Sequence, residues 1–281
     1  MSEEAPSPPQ NILVALDASP HSRAALDAAV RLAATFEAKV EGLFVEDETL
    51  QRAAQLPFAK EVRTYTAPPR RLSNQRLQRQ LRYRATYAER TLQRAAEQAE
   101  VSHTFRTVEG HVTEELLRAA DGTDLLILGK TSTASSRRRL GSTSRTLLSD
   151  APTPVMVLRK TVPAQHPLLL YYDGSDAADT ALRLVLQISR RADGTPIQLL
   201  FPPPEADVDP TRLRTRIQTR HGEGDLPLHG RQLTPAEMHR LSAFAREKEG
   251  LLVLPAGCPP LCNVSLQQFL YEIDRPLLVV R

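Results

Sequence analysis

Apolar and polar positions fall in blocks along this chain, and each block has the period of a strand or of a helix. Residues 11–16, NILVAL, form a short, nearly continuous apolar run, the pattern of a strand buried on both faces. Asp17-Ala-Ser-Pro20 then reads as a turn and a helix start. Ser19 is a natural N-cap, and Pro20 stands at the tolerated first helical position. Ala25, Ala28, Ala29, Leu32 and Phe36 recur at helical spacing and predict an amphipathic helix from about 20 to 36. Residues 39–45, KVEGLFV, predict a second strand. Further along, Val112–Ala120 predicts a short helix and Leu125–Leu128 a buried strand ending in Gly129. Ser142–Leu148 predicts a helix start and Val155–Leu158 a final buried strand. This alternation predicts an open parallel α/β sheet, in which ligands bind beyond the C-terminal ends of the strands. The positions there are Asp17, Val45 to Asp47, and the segment after Leu128.

The blocks return in the second half of the chain. One gapless offset sets Asp17-x-Ser19 on Asp173-x-Ser175, Ala25-Leu26 on Ala181-Leu182, Leu32 on Ile188 and Leu43-Phe44 on Leu199-Leu200. DLLILGK (Asp124–Lys130) parallels GLLVLPA (Gly250–Ala256), and PTPVMVLR (Pro152–Arg159) parallels DRPLLVVR (Asp274–Arg281). A repeat of this length is a domain. The expected organisation is a disordered tail over 1–10, a first domain over 11–160, a linker over 161–167 and a second domain over 168–281.

Length and composition narrow the class. The 281 residues are enough for two domains, and 41% apolar content is ordinary for a globular protein. No apolar run reaches the roughly 18 residues of a membrane span, and the acidic, Pro-rich start lacks a signal-peptide pattern. Cys258 and Cys262 make neither a disulfide framework nor a zinc site and read as two reduced thiols. A cytoplasmic protein is expected.

The net charge of +3 hides an uneven distribution. Lys60, Arg63, Arg70, Arg71, Arg76, Arg79, Arg82, Arg84, Arg90 and Arg94 face only Glu61 and Glu89 in the same stretch. Leu77, Leu81, Ala85, Ala88, Leu92, Ala95 and Ala96 predict a long helix over 73–99. Residues 54–72 read as a loop over the mouth of a site or against a partner. Such a basic surface attracts nucleic acid or anionic lipid, or is simply a solvated helix packed on the sheet. The second reading is preferred: nucleic acid is not an expected partner, and Tyr83 and Tyr87 are expected to pack.

Residues 129–148, GKTSTASSRRRLGSTSRTLL, begin where a buried strand ends and run into a helix start. Glycine there admits a phosphate close to the backbone, and helix N–H groups and hydroxyls are donors. The same composition also suits an ordinary loop with a Ser/Thr N-cap. It is not a Walker A loop.

Taken together, ILVALDASPHSRAAL, DLLILGKTS and LGSTSRTLLSDAPTPVMVLR resemble the universal stress protein family over about 11 to 159, apart from what the resemblance marks as a basic helical insertion over about 54–99, and the second copy resembles it more faintly. The resemblance implies two tandem, open, parallel five-stranded sheets of order 3-2-1-4-5 with helices on both faces. ATP-binding members carry G-x2-G-x9-G-[ST] after the fourth strand. Here Gly129 matches the first glycine, Ser132 replaces the second, and Gly141-Ser142 matches the last pair one residue early. The resemblance implies that Asp17 contacts adenine or the start of the nucleotide pocket and that Val45 offers adenine backbone bonds. Gly129 and Ser132 would line ribose and phosphates, and Gly141, Ser142 and Thr143 would hold phosphate oxygens. ATP or AMP is the implied ligand, with Mg²⁺ accompanying ATP. In the second copy Pro255 stands where Gly129 stood, and Asn263-Val264-Ser265 replace Gly141-Ser142-Thr143, so nucleotide is expected in the first copy only. Pairing of Val155–Leu158 with Leu277–Val280 is also implied, an intramolecular pseudo-dimer. A homodimer and an unidentified protein partner stay open. The expected function is an adenine-nucleotide-binding stress-response protein. The alternatives are a scaffold of the same fold without nucleotide, and a slow ATPase. Asp17, Ser19 and His21 lie too close along one helix start to form a triad.

Overall fold

In the computed structural model of this chain, ten strands form one continuous sheet. The structure describes residues 8–56, 60–61, 70–71, 74–129, 142–158, 167–192, 194–204, 209–221, 228–239, 241, 250–262, 269 and 275–281.

The first half contains β1 (Asn11–Ala15), α1 (Pro20–Phe36), β2 (Lys39–Asp47), α2 (Glu48–Gln55), the short strands β3 (Lys60–Glu61) and β4 (Arg70–Arg71), and α3 (Asn74–Gln98). It continues with β5 (His103–Gly110), α4 (Val112–Ala120), β6 (Leu125–Gly129), α5 (Ser142–Asp150) and β7 (Val155–Leu158). The second half contains β8 (Leu168–Tyr171), α6 (Asp176–Arg191), β9 (Ile197–Phe201), α7 (Pro210–His221), β10 (Leu228–Gln232), α8 (Pro235–His239) and β11 (Leu251–Pro255). A short helix, Pro259–Cys262, and β12 (Leu277–Val280) complete it.

The order β5-β2-β1-β6-β7 is 3-2-1-4-5 for the first half, and β10-β9-β8-β11-β12 is the same order for the second. Neighbours within each half are parallel. The halves join where β7 pairs antiparallel with β12, Val157 opposite Leu277 and Met156 opposite Leu278. What reads as two sheets is therefore one, because the pair covers the edge that each fifth strand would otherwise expose.

β1 shows why its sequence is almost wholly apolar. Ile12 and Val14 enter the core under α1 and α3, while Leu13 enters the core under α4 and α5. α1 starts at Pro20, and the Ser19 hydroxyl accepts from the Ser22 N–H at 3.2 Å. The helix expected over 73–99 is α3, with Leu77, Leu81, Ala88, Leu92 and Ala96 buried. At the end of the expected tail, Gln10 donates its N–H to the Asp124 carboxylate at 2.8 Å. Of the expected linker, only Pro167 lies among the described residues. The loop expected over 54–72 begins inside α2 and includes the antiparallel ribbon of β3 and β4; its other residues lie outside the described set. α2 has a local cause: the Asp47 carboxylate accepts from the Thr49 N–H at 2.8 Å and caps it.

One register differs from the gapless alignment of the halves. Ala15 of β1 pairs with Leu43, but Tyr171 of β8 pairs with Leu200. Leu43 therefore corresponds to Leu200 and Phe44 to Phe201. Burial agrees, since both phenylalanines point to the face of α1 and α6 and both leucines to the other. The physical reason is a connection one residue longer between α6 and β9, which turns through Gly194 at φ 74°. A one-residue slip would have sent every β9 side chain to the wrong face.

Candidate functional site

The C-terminal ends of β1, β2 and β6 and the first turn of α5 enclose a cavity of about 140 Å³. Asp17, Val45, Gly129 and Thr143, brought from four separate segments, line it together. Ser142 is exposed at the first position of α5 and is not part of the wall. Ser132 and Gly141 lie outside the described residues.

Asp17 is exposed, and its carboxylate accepts from the Ser19 N–H at 2.9 Å. That bond closes the turn between β1 and α1, in which Ala18 adopts φ 60°. Asp173 does the same for Ser175 at 3.0 Å, with Gly174 at φ 82°. The Asp-x-Ser pattern is thus a turn former in both halves. In the first half it also leaves one carboxylate at the mouth of the cavity.

Gly129 has a structural cause that composition does not reveal. A Cβ there would meet the His21 carbonyl oxygen at 2.5 Å and the Ser22 nitrogen at 2.7 Å. The backbone of the first turn of α1 therefore excludes any side chain at the end of β6.

Thr143 is held by Thr113, whose hydroxyl donates to its Oγ1 at 3.2 Å and ties α4 to α5. Ser144, 3% exposed, lines the cavity beside it. The first turn of α5 offers N–H groups without helical partners and the positive end of the helix dipole. Leu43, Val45, Val112 and Leu116 give part of the wall an apolar surface. A flat ring against that wall with an anionic group at α5 is what this arrangement can hold.

The second half differs at the equivalent positions. The sheet register sets Tyr171 at the place of Ala15 and Pro255 at the place of Gly129. Pro202 follows Phe201 and takes the place of Val45; it has no N–H to give a ligand. Tyr171 is 1% exposed, and its burial pushes the phenol well above its ordinary value, with Asp173 and Cys258 adding to the effect. Ala15 and Ser144 were missed in the sequence. The signal for Ala15 was there, a small residue in NILVALD against an aromatic one in PLLLYYD.

A doubly wound parallel sheet with a crevice at its strand ends, beside the switch point between β1 and β6, defines an open α/β protein of the doubly wound class. The chain belongs to the universal stress protein family, whose model matches residues 9–159. Among solved structures it is similar to a universal stress protein from Archaeoglobus fulgidus, at 17% identity and a TM-score of 0.72, covering 96% of this chain and 97% of that one. It is also similar to a functionally unknown protein from Pseudomonas aeruginosa, at 14% identity and a TM-score of 0.59, covering 96% and 92%. A universal stress protein in complex with cAMP matches at 21% identity and a TM-score of 0.40, covering 55% of this chain and 100% of that one. These likenesses concern the fold. Comparison with curated proteins found no match. No helix among the described residues is long and apolar enough to cross a membrane.

Proposed function

We propose that this chain is a cytoplasmic, adenine-nucleotide-binding regulatory protein of the stress response, with two tandem domains over 11–160 and 168–281. The nucleotide occupies the first domain only. One observation carries the reading: Asp17, Val45, Gly129 and Thr143 share one cavity at the strand ends, with the N-terminus of α5 in its wall. The base lies against Val45 and Leu43, and Thr143 and Ser144 with the α5 N–H groups hold phosphate. ATP or AMP satisfies these contacts, and Mg²⁺ accompanies ATP. The cavity is smaller than the roughly 300–1,000 Å³ of complete ligand pockets, so it takes part of the nucleotide. The second domain serves as a structural partner, its equivalent space filled by Tyr171.

Titration calorimetry with ATP and AMP, with and without Mg²⁺, tests the reading, together with mass spectrometry of the denatured protein for co-purified nucleotide. Thr143→Val is expected to weaken binding about tenfold or more, the cost of a lost bond to a charged group. No nucleotide in either assay would leave the second reading, a scaffold of the same fold.

A further inference from the structure

The side of α3 that faces the turn between β1 and α1 carries chemistry that the cavity at Thr143 does not use. Arg76, Arg79, Gln80, Tyr83, Arg84 and Tyr87 recur at intervals of three and four and share one face of the helix. With Ala18 they line a groove of about 540 Å³. The stripe spans about 16 Å along the helix axis. Tyr83 is 73% exposed and Tyr87 44% exposed, although the sequence leads one to expect both to pack. Among the described residues no carboxylate lines the groove, and no ion pair involves Arg76, Arg79 or Arg84.

The second half differs at the same place. Tyr172 stands where Leu16 does, and Asp179 where Arg23 does. The Tyr172 hydroxyl donates to Asp179 Oδ1 at 2.5 Å, and Arg216 of α7 donates to Asp179 Oδ2 at 2.5 Å. An arginine that reaches from the equivalent helix is neutralised there by a buried carboxylate. In the first half a cavity of about 240 Å³ remains between α1 and α3, lined by Arg23, Tyr87 and Thr91.

Fixed positive charge interleaved with exposed phenol rings suits a chain of phosphates whose bases are free to stack. A duplex keeps its bases stacked inside and would engage the arginines alone. We propose that this face of α3 binds single-stranded nucleic acid. The proposal is independent of the nucleotide reading, because the groove and the cavity at Thr143 have different walls.

Fluorescence anisotropy of the full chain with labelled oligothymidylate of about 12 nucleotides tests it, since that ligand carries no adenine. Binding is expected, with a log–log salt slope of about −2 for three phosphate contacts. Tyr83→Ala should weaken it about tenfold and Tyr83→Phe should leave it unchanged. The triple change Arg76→Gln, Arg79→Gln, Arg84→Gln should flatten the salt slope, whereas Arg118→Gln on α4 should not. Tyr83 is exposed enough that its substitution leaves folding intact, which circular dichroism checks. Absence of binding would overturn the proposal. So would equal affinity for a duplex, an unaltered affinity in Tyr83→Ala, or displacement by AMP.

Discussion

The Arg281 guanidinium donates to the Leu148 carbonyl at 2.9 Å and also to the Ser149 carbonyl. Arg281 ends the second half, and both carbonyls belong to the last turn of α5, whose first turn borders the cavity. A cation there satisfies carbonyls that have no helical partner and complements the helix dipole. The two halves are thus joined at α5 as well as through β7 and β12.

Arg281→Ala is expected to cost about 1–2 kcal/mol, because charged hydrogen bonds to the helix end are lost. Urea unfolding measures this. Unchanged stability would mean that water caps α5 equally well.

Gly129→Ala is expected to destabilise the fold by about 1–3 kcal/mol, the range for overpacking against backbone that has to shift. Thermal unfolding with and without ATP separates the two reasons for this glycine. A normal melting temperature combined with weaker binding would assign it to phosphate contact instead of to α1.

Ala15→Tyr gives the first half the residue that fills the second. Calorimetry should then show no nucleotide binding by a folded protein. The reverse change, Tyr171→Ala, should create a cavity at a cost of about 3–5 kcal/mol. It should not create a nucleotide site, because Pro255 and Pro202 remain.

Tyr171 makes the second half sensitive to alkali. Burial raises its folded-state pKa above the ordinary 10.0, so the unfolded chain loses the proton first. The stability it contributes is complete below about pH 10 and is lost as pH rises toward the folded-state value. Tyr171→Phe should move the alkaline unfolding midpoint upward, read by far-UV circular dichroism. An unmoved midpoint would place the sensitive group elsewhere.

Much of the first half was legible because its signals are local. The Ser19 cap with Pro20 marks the start of α1, and the bounds Pro20–Phe36, Val112–Ala120 and Val155–Leu158 agree with the pattern of apolar residues. β5 was less legible, since it is an edge strand with alternating exposure and the sequence reading sets no bounds for it. α2 was missed because its cap, Asp47, lies inside what reads as strand and loop. Asp17, Val45, Gly129 and Thr143 line one cavity, to which Ala15 and Ser144, not singled out from the sequence, also contribute. A serine inside a helix carries no local mark, and Ala15 stands out only when the two copies are set side by side.

By itself, the sequence determined the strand and helix periods, the duplicated Asp-x-Ser turn and the loss of glycine at Pro255. Those features depend on neighbours a few residues away. Tertiary structure alone decided that β9 shifts by one residue. It alone decided that Gly129 yields to the backbone of α1, that Tyr171 is buried at the place where Ala15 borders a cavity, and that α3 presents its arginines and tyrosines to a groove. Each of these depends on the distance between segments far apart in the chain, which packing sets and local periodicity does not record.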